Sequence, residues 1–568
     1  MRKWAAPGMF LLIFSGFALC LAPGPSWANL NVDLFDFLYS TKELQVAHPP
    51  GLPLYILLGH LVSYLPGSHA INLAYMLSLV PTMLTCLLIH YIVEGKSANR
   101  YAPFVAVLAF AGSQVVIAQA TIVEIYALET FLVVGAYVLF EKGRPKLALL
   151  ALGGAAAISW GAIILVPIFL WRYGYHRRPL MWLYLLPPLA LYAYVPLANR
   201  APHLSLGPST WDNYYSYFVQ HGGALWNLPA WEFPERFALG AAALVACLGL
   251  ALVLAIGTFI KREHITLLWL AIPGFAFWIT TSGADAIVQI MPSLAFLAIA
   301  AGLYLRPTGN GKRLAYAAIL VSSLLFMVNL HLYDIGGNLD PHLRANQLMG
   351  QLDQVPEGSV MVCWSAASYA GVHYYNSETG RELKAIHPVF TDPEYAWDYE
   401  LERYGLVYDW GQTWDEDIRT DESLWPGATA DFADANPGET VYVIANSPDR
   451  SERQAVVLPA MAELPAPHGE YKQSWTRFVL PIHWTYAVQS GQYAMTEQWQ
   501  LRTDTNLTIG IFGLIIAFGL TWGHTAPRTI FRNVEPKRRQ AYTTVGTAIL
   551  TLLYCWMLSL VGVGGFRW

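Results

Sequence analysis

Nine apolar runs, each close to the length of a bilayer crossing, leave this chain few ways to fold. They occupy residues 70–94, 101–120, 180–197, 237–260, 265–281, 286–304, 313–331, 507–524 and 541–562. A hydrocarbon core of about 30 Å takes about 20 apolar residues per helix. Backbone polar groups find no water there, so each segment must satisfy its own hydrogen bonds as a helix. The composition agrees: 13% of the 568 residues are charged and 55% are hydrophobic, where soluble domains carry about 25% charged residues. The fold expected is a polytopic α-helical membrane protein.

Met1 to Leu21 has Arg2 and Lys3 ahead of an apolar stretch. It reads as an uncleaved anchor with its basic end in the cytoplasm; the alternative is a signal peptide cut near Ser26-Trp27-Ala28. Residues 101–141 and 146–171 are each flanked on both sides by Lys and Arg. The excess of basic residues in cytoplasmic loops therefore makes each a hairpin, with turns near Thr121–Glu124 and Ser159-Trp160-Gly161. Continued along the chain, this rule puts twenty of the 34 Lys and Arg in cytoplasmic segments and four in short external loops. The remaining basic residues lie in an insert, residues 333–505, which follows an outward-going span and is expected to be an extracytoplasmic α/β domain. Val360–Cys363 and Thr440–Ile444 are its strand-like runs. The organisation expected is a membrane domain over 1–332 with a first external loop at 23–69, the insert, and two C-terminal spans within 506–568.

Net charge is -5, with no basic cluster of the kind nucleic acid requires. The five cysteines, Cys20, Cys86, Cys247, Cys363 and Cys555, include no C-x-x-C pair, so no metal centre or disulfide framework is expected. Cys363 reads as a small buried hydrophobe.

Polar residues set among apolar ones on the external side are the candidates for chemistry. Asp33 and Asp36 lie in the first loop among Leu34, Phe35, Phe37 and Leu38, and a spacing of three places them on one face of a short helix. His48-Pro49-Pro50-Gly51 ends that element, because each proline removes a backbone donor and disfavours helix before it. The plainer reading of His48 is a helix-breaking corner. Leu52–Leu65 is too short to span and should lie in the interface or re-enter. Glu124 sits at the turn of the first hairpin and Asp285 precedes the span ending at Tyr304; either could simply complement a helix dipole. Together with His48 and Arg200 they form a one-sided pattern, whereas a transporter would gather its polar groups at the midplane.

Asp33 through Asp36 to Ala47-His48-Pro49-Pro50-Gly51-Leu52-Pro53-Leu54-Tyr55, then Ile71-Asn72-Leu73 and Glu124-Ile125-Tyr126-Ala127-Leu128, resembles the protein O-mannosyltransferase-like branch of the GT-C glycosyltransferases. Members of that branch typically show Asp, Glu three residues on, A-H-P-P-G-[YF]-P-L-Y and later E-V-Y-A-L. Tyr192-Ala193-Tyr194-Val195-Pro196-Leu197 before Gly207-Pro208-Ser209-Thr210, and Asp285 to Pro292, extend the likeness over about residues 30–335. Asp36 departs from the usual Glu. Cys363-Trp364-Ser365-Ala366-Ala367-Ser368 stands in place of an acidic cluster, so no functional residue carries over to the insert.

The resemblance implies a GT-C-like membrane domain of about 11–13 transmembrane helices. It also implies transfer of a sugar from a polyprenyl-phosphate donor to a hydroxyl on a protein, glycan or lipid acceptor at the extracytoplasmic face. On that footing Asp33 is the candidate base. His48 and Arg200 are candidates for the donor phosphate, with Arg236 and Lys42 behind them. Asp36 completes the catalytic pair with Asp33, and Glu124 and Asp285 are supporting residues; Asp36 and Glu124 would orient groups or hold an optional divalent cation, the one cofactor the resemblance leaves open. The competing expectation is a non-catalytic GT-C-fold subunit working through its insert, where eight tryptophans could bind partners or glycans. The absence of a retention signal at Phe566-Arg567-Trp568 points to a bacterial plasma membrane.

Overall fold

The computed structural model describes residues 4–26, 33–48, 51–198, 233–261, 264–280, 286–307, 309–333, 346–363, 366–386, 401, 403–407, 432–446 and 455–459. The expected spans at 507–524 and 541–562 lie outside them, as do Arg200 and Asp285.

Helices dominate. In chain order they are α1 (Ala5–Leu19), α2 (Leu34–Glu43), α3 (Pro53–Ser63), α4 (His69–Lys96, with a π turn at Ala74–Leu79), α5 (Ala102–Ala111), α6 (Gln114–Ala120), α7 (Tyr126–Glu141), α8 (Pro145–Ala156) and α9 (Trp160–Arg172). The mixed 3₁₀ and α segment Pro179–Ala198 is α10. Then come α11 (Phe233–Leu248), α12 (Leu250–Ile260), α13 (Ile265–Thr280), α14 (Met291–Tyr304) after a 3₁₀ turn at Ala286–Ile290, and α15 (Gly309–Leu332).

Among the described residues three helices are long and apolar enough to cross a membrane: His69–Lys96, Pro179–Ala198 and Gly311–His331. The pair α5 and α6 would make a fourth, bent by 65°. Several expected spans are thus broken. Residues 101–120 bend at Gly112-Ser113, and 237–260 divide at Gly249, whose backbone (φ 49°, ψ -123°) is open to glycine and costly for other residues. Residues 286–304 begin as 3₁₀. Apolar run length registers burial, not straightness, and cannot show these breaks.

The chain turns between α6 and α7 at residues 121–125, where the first hairpin turn was expected, and between α8 and α9 at 157–159, two residues ahead of the expected Ser159-Trp160-Gly161, because Trp160 and Gly161 already belong to α9. Gly112 makes the first bend workable. A Cβ there would stand 2.8 Å from the Leu108 and Ser322 carbonyl oxygens, so only glycine lets the backbones of the bend and α15 approach. The side-chain amide of Asn329 then donates to the Gly112 carbonyl at 2.7 Å. One apolar core runs through the bundle and on into the insert.

The insert contributes α16 (Asn346–Leu352), α17 (Ala366–Thr379) and a four-stranded sheet of β1 (Val360–Cys363), β2 (Lys384–Ile386), β3 (Val441–Asn446) and β4 (Ala455–Pro459). The strand order is 2-1-3-4; β1 pairs parallel with β2 and β3, and β4 pairs antiparallel with β3. Val360 lies opposite Lys384 on one side and Val441 on the other. Both strand-like runs expected in the insert are strands, and Cys363 is fully buried.

Candidate active site

The site is built on α2, a short helix held on three faces. Asp33 occupies its N-cap position, and the Phe37 N–H donates to the Asp33 carbonyl at 3.0 Å. Leu44, left-handed at φ 52°, ends the helix. On one face Thr41 lies against Gly59 of α3, and its hydroxyl is 2.8 Å from His69 Nε2. On a second face α17 of the insert packs on α2: Phe35 meets Tyr374, Tyr39 meets His373, and Lys42 pairs with Glu378 at 2.7 Å. The third face carries Asp33, Asp36 and Ser40 toward His48.

The loop that follows brings the imidazole back over this third face. His48 is returned by a tight turn in which the Gly51 N–H donates to the His48 carbonyl at 2.8 Å. Gly51 (φ 85°) and Leu52 (φ 42°) are both left-handed, and Pro53, whose fixed φ suits a first helical position, opens α3. The Tyr194 hydroxyl donates to the Gln45 carbonyl at 3.0 Å, and Val195 packs on Val46, so the tail of α10 holds the loop from outside.

His48 donates to Asp36 Oδ2 twice, through its backbone N–H at 2.8 Å and through Nδ1 at 2.7 Å. The Ser40 hydroxyl donates to Asp36 Oδ1 at 3.2 Å. Both oxygens of Asp36 are therefore engaged. His48 Nε2 faces Asp33 Oδ2 at 3.7 Å, and about a third of each of these two side chains is open to solvent (34% and 33%). Burial opposes the charged imidazole, but the Asp33 charge, the Asp36 hydrogen bond and the Asp36 and Glu124 charges outweigh it together and push the His48 pKa up to about 10. An imidazole so placed is an imidazolium at neutral pH.

Glu124 is buried, with 4% of its surface exposed. Its Oε2 accepts from the Ile125 N–H at 3.2 Å, while Ser78 both donates to its carbonyl and accepts from its backbone N–H. It lies near enough for its charge to act on both His48 and Tyr55.

Asp33, Asp36, His48 and Glu124 thus come together as a group. Lys42 does not join them; it points away, to Glu378 and the Ser377 carbonyl. Arg236 falls in α11 with its side chain outside the described residues. Among the described residues no group of three His, Cys, Asp or Glu side chains is arranged to hold a metal ion, and the donor set of Asp36 is already taken by His48 and Ser40. A polar group that the sequence reading passed over lies nearby: Glu129 of α7, Ser159 ahead of α9, and Gln289. The signal was present in Glu129, an acid inside the apolar run that follows Glu124.

Residues 33–195 match the family described as Protein O-mannosyl-transferase TMEM260 N-terminal domain. All four members of the cluster lie within the matched residues, and Arg200, Arg236 and Asp285 lie beyond them. The description names protein O-mannosyl transfer, so the relationship drawn from the sequence motifs holds at that level. No curated protein and no solved structure matches the chain.

Proposed function

We propose that the chain is a membrane glycosyltransferase of the GT-C type that moves a sugar, mannose by the family description, from a polyprenyl-phosphate donor to a protein hydroxyl on the extracytoplasmic face. The observation that carries this reading is the His48 ring clasped by Asp36 and turned toward the partly open Asp33.

In the reaction the acceptor oxygen forms a bond to the anomeric carbon, the bond from that carbon to the phosphate oxygen breaks with its electron pair, and the hydroxyl proton passes to a base. His48 is protonated below about pH 10 and cannot serve as that base at neutral pH. Asp33, on the same face and partly open, takes the role. The 3.7 Å between His48 Nε2 and Asp33 also bears on the donor phosphate. Groups that serve opposite faces of a sugar carbon in a single displacement stand roughly 6.5–9.5 Å apart, so His48 stays on the acceptor side as a positioning residue. The phosphate falls to Arg200, whose guanidinium can grip two phosphate oxygens at once. Asp36, saturated by His48 and Ser40, positions the imidazolium.

Asp33→Asn keeps the size of the side chain and cannot take the proton. Transfer from a polyprenyl-phosphate sugar by the purified variant should fall on the order of 10²–10⁴-fold, with only the small drop in melting temperature that losing one charge beside His48 entails. Wild-type turnover in Asp33→Asn would remove the base assignment, and a wild type inert with a panel of donors would favour a non-catalytic subunit.

A further inference from the structure

The bundle holds a second polar group that the proposed reaction does not use. Glu129 and Ser159 lie at the starts of α7 and α9, in the first turn and at the N-cap, and Gln289 lies just ahead of α14, in the 3₁₀ turn that leads into it. Glu129 and Ser159 are buried, at 2% and 4% exposure, and the Ser159 hydroxyl accepts from the Gly161 N–H at 3.2 Å.

Gly161 shows that these oxygens converge. A Cβ built on it would stand 2.9 Å from Gln289 Oε1, 3.4 Å from Ser159 Oγ and 3.6 Å from Glu129 Oε1. Three oxygens from three helices therefore face one small volume that any side chain at position 161 would fill. Gly161 and Gln289 are half-buried. The second oxygen of the acid, Glu129 Oε2, is fully buried and has no hydrogen-bond partner. A buried carboxyl oxygen without a partner destabilises the fold, and a group that supplies a hydrogen bond there recovers that cost.

The place is close to the candidate active site. Glu129 is five residues along from Glu124, and the Leu54 N–H just after the His48 turn donates to the Ala157 carbonyl at 3.3 Å, two residues before Ser159. Sugar hydroxyls both donate and accept, and so match a carboxyl, a hydroxyl and an amide together. We propose that Glu129, Ser159 and Gln289, gathered over Gly161, form the subsite that reads the hydroxyls of the donor's sugar. This rests on the transferase reading above.

The test compares binding of polyprenyl-phosphate mannose and of polyprenyl phosphate without sugar by full-length wild type, Gly161→Ala and Glu129→Gln. Gly161→Ala fills the volume with one methyl group, and Glu129→Gln keeps the shape of the acid while changing what it can accept. Both variants should lose the preference for the sugar-bearing lipid by about tenfold or more and hold the bare lipid phosphate as tightly as wild type. A preference retained in both variants would overturn the subsite alone. So would equal weakening toward both lipids, which is what a purely structural role produces. Wild-type protein that binds neither lipid would overturn the transferase reading and the subsite with it.

Discussion

His48 is where the chemistry of the site is most exposed to measurement. Its folded pKa, about 10, lies above the roughly 6.5 of an unfolded histidine, so the folded state holds a proton that the unfolded state releases between those values. The stabilisation is complete below about pH 6.5 and is lost as pH rises toward 10. The gap in melting temperature between wild type and His48→Gln should accordingly be widest near pH 6 and close by pH 10; a gap independent of pH would mean the imidazole is not charged in the fold. Asp36→Asn removes one of the groups that hold the proton. The alkaline limb of its rate profile should move to lower pH, with little change in KM for the donor, and an unmoved limb would separate Asp36 from the imidazolium.

At the scale of the element, α2 is a short helix that presents three faces to three neighbours, and each face has its own consequence. Lys42 is on the face toward the insert, where its pair with Glu378 is partly exposed (25% and 36%) and such pairs contribute about 0–1 kcal/mol. Lys42→Ala should cost less than about 1 kcal/mol and leave donor affinity as it was; weakened donor binding would return Lys42 to the phosphate. Gly371 of α17 is more demanding, since a Cβ there would stand 2.8 Å from Leu348 and 3.2 Å from Phe35 of α2. Gly371→Val should tilt α2 and lower kcat for transfer several-fold while the protein remains folded, measured as turnover per monodisperse molecule.

These faces also mark how far the sequence could be read. Spacing of three put Asp33 and Asp36 on one side, and the doubled proline with Gly51 announced the turn that returns His48. Nothing local told that Lys42, two turns along from Asp36, faces the α17 helix, because its partner Glu378 is 336 residues away. Glu129 escaped for a related reason: in a helix apolar all round, periodicity does not say which side meets polar neighbours. The breaks at Gly112 and Gly249 were written as glycines inside apolar runs. A glycine there is equally compatible with a straight helix, and only the approach of Ser322 decides the case at Gly112.

For the whole molecule, the distribution of Lys and Arg makes one prediction about sides. Single-cysteine variants at Lys142 and Lys261 should react only with reagents that enter the cytoplasm, and one at the exposed Glu382 of the insert only from outside. Labelling of Lys142 from outside in intact cells would undo the one-sided site, because the hairpin ending there carries Glu124 at its far turn. The 65° bend between α5 and α6 has a consequence for biosynthesis. Its open carbonyl at Gly112 is met by Asn329, 217 residues later in the chain. A ribosome adding about 5–20 residues per second leaves that carbonyl without this partner for roughly ten seconds or more, so the bend is made first and secured only when α15 arrives.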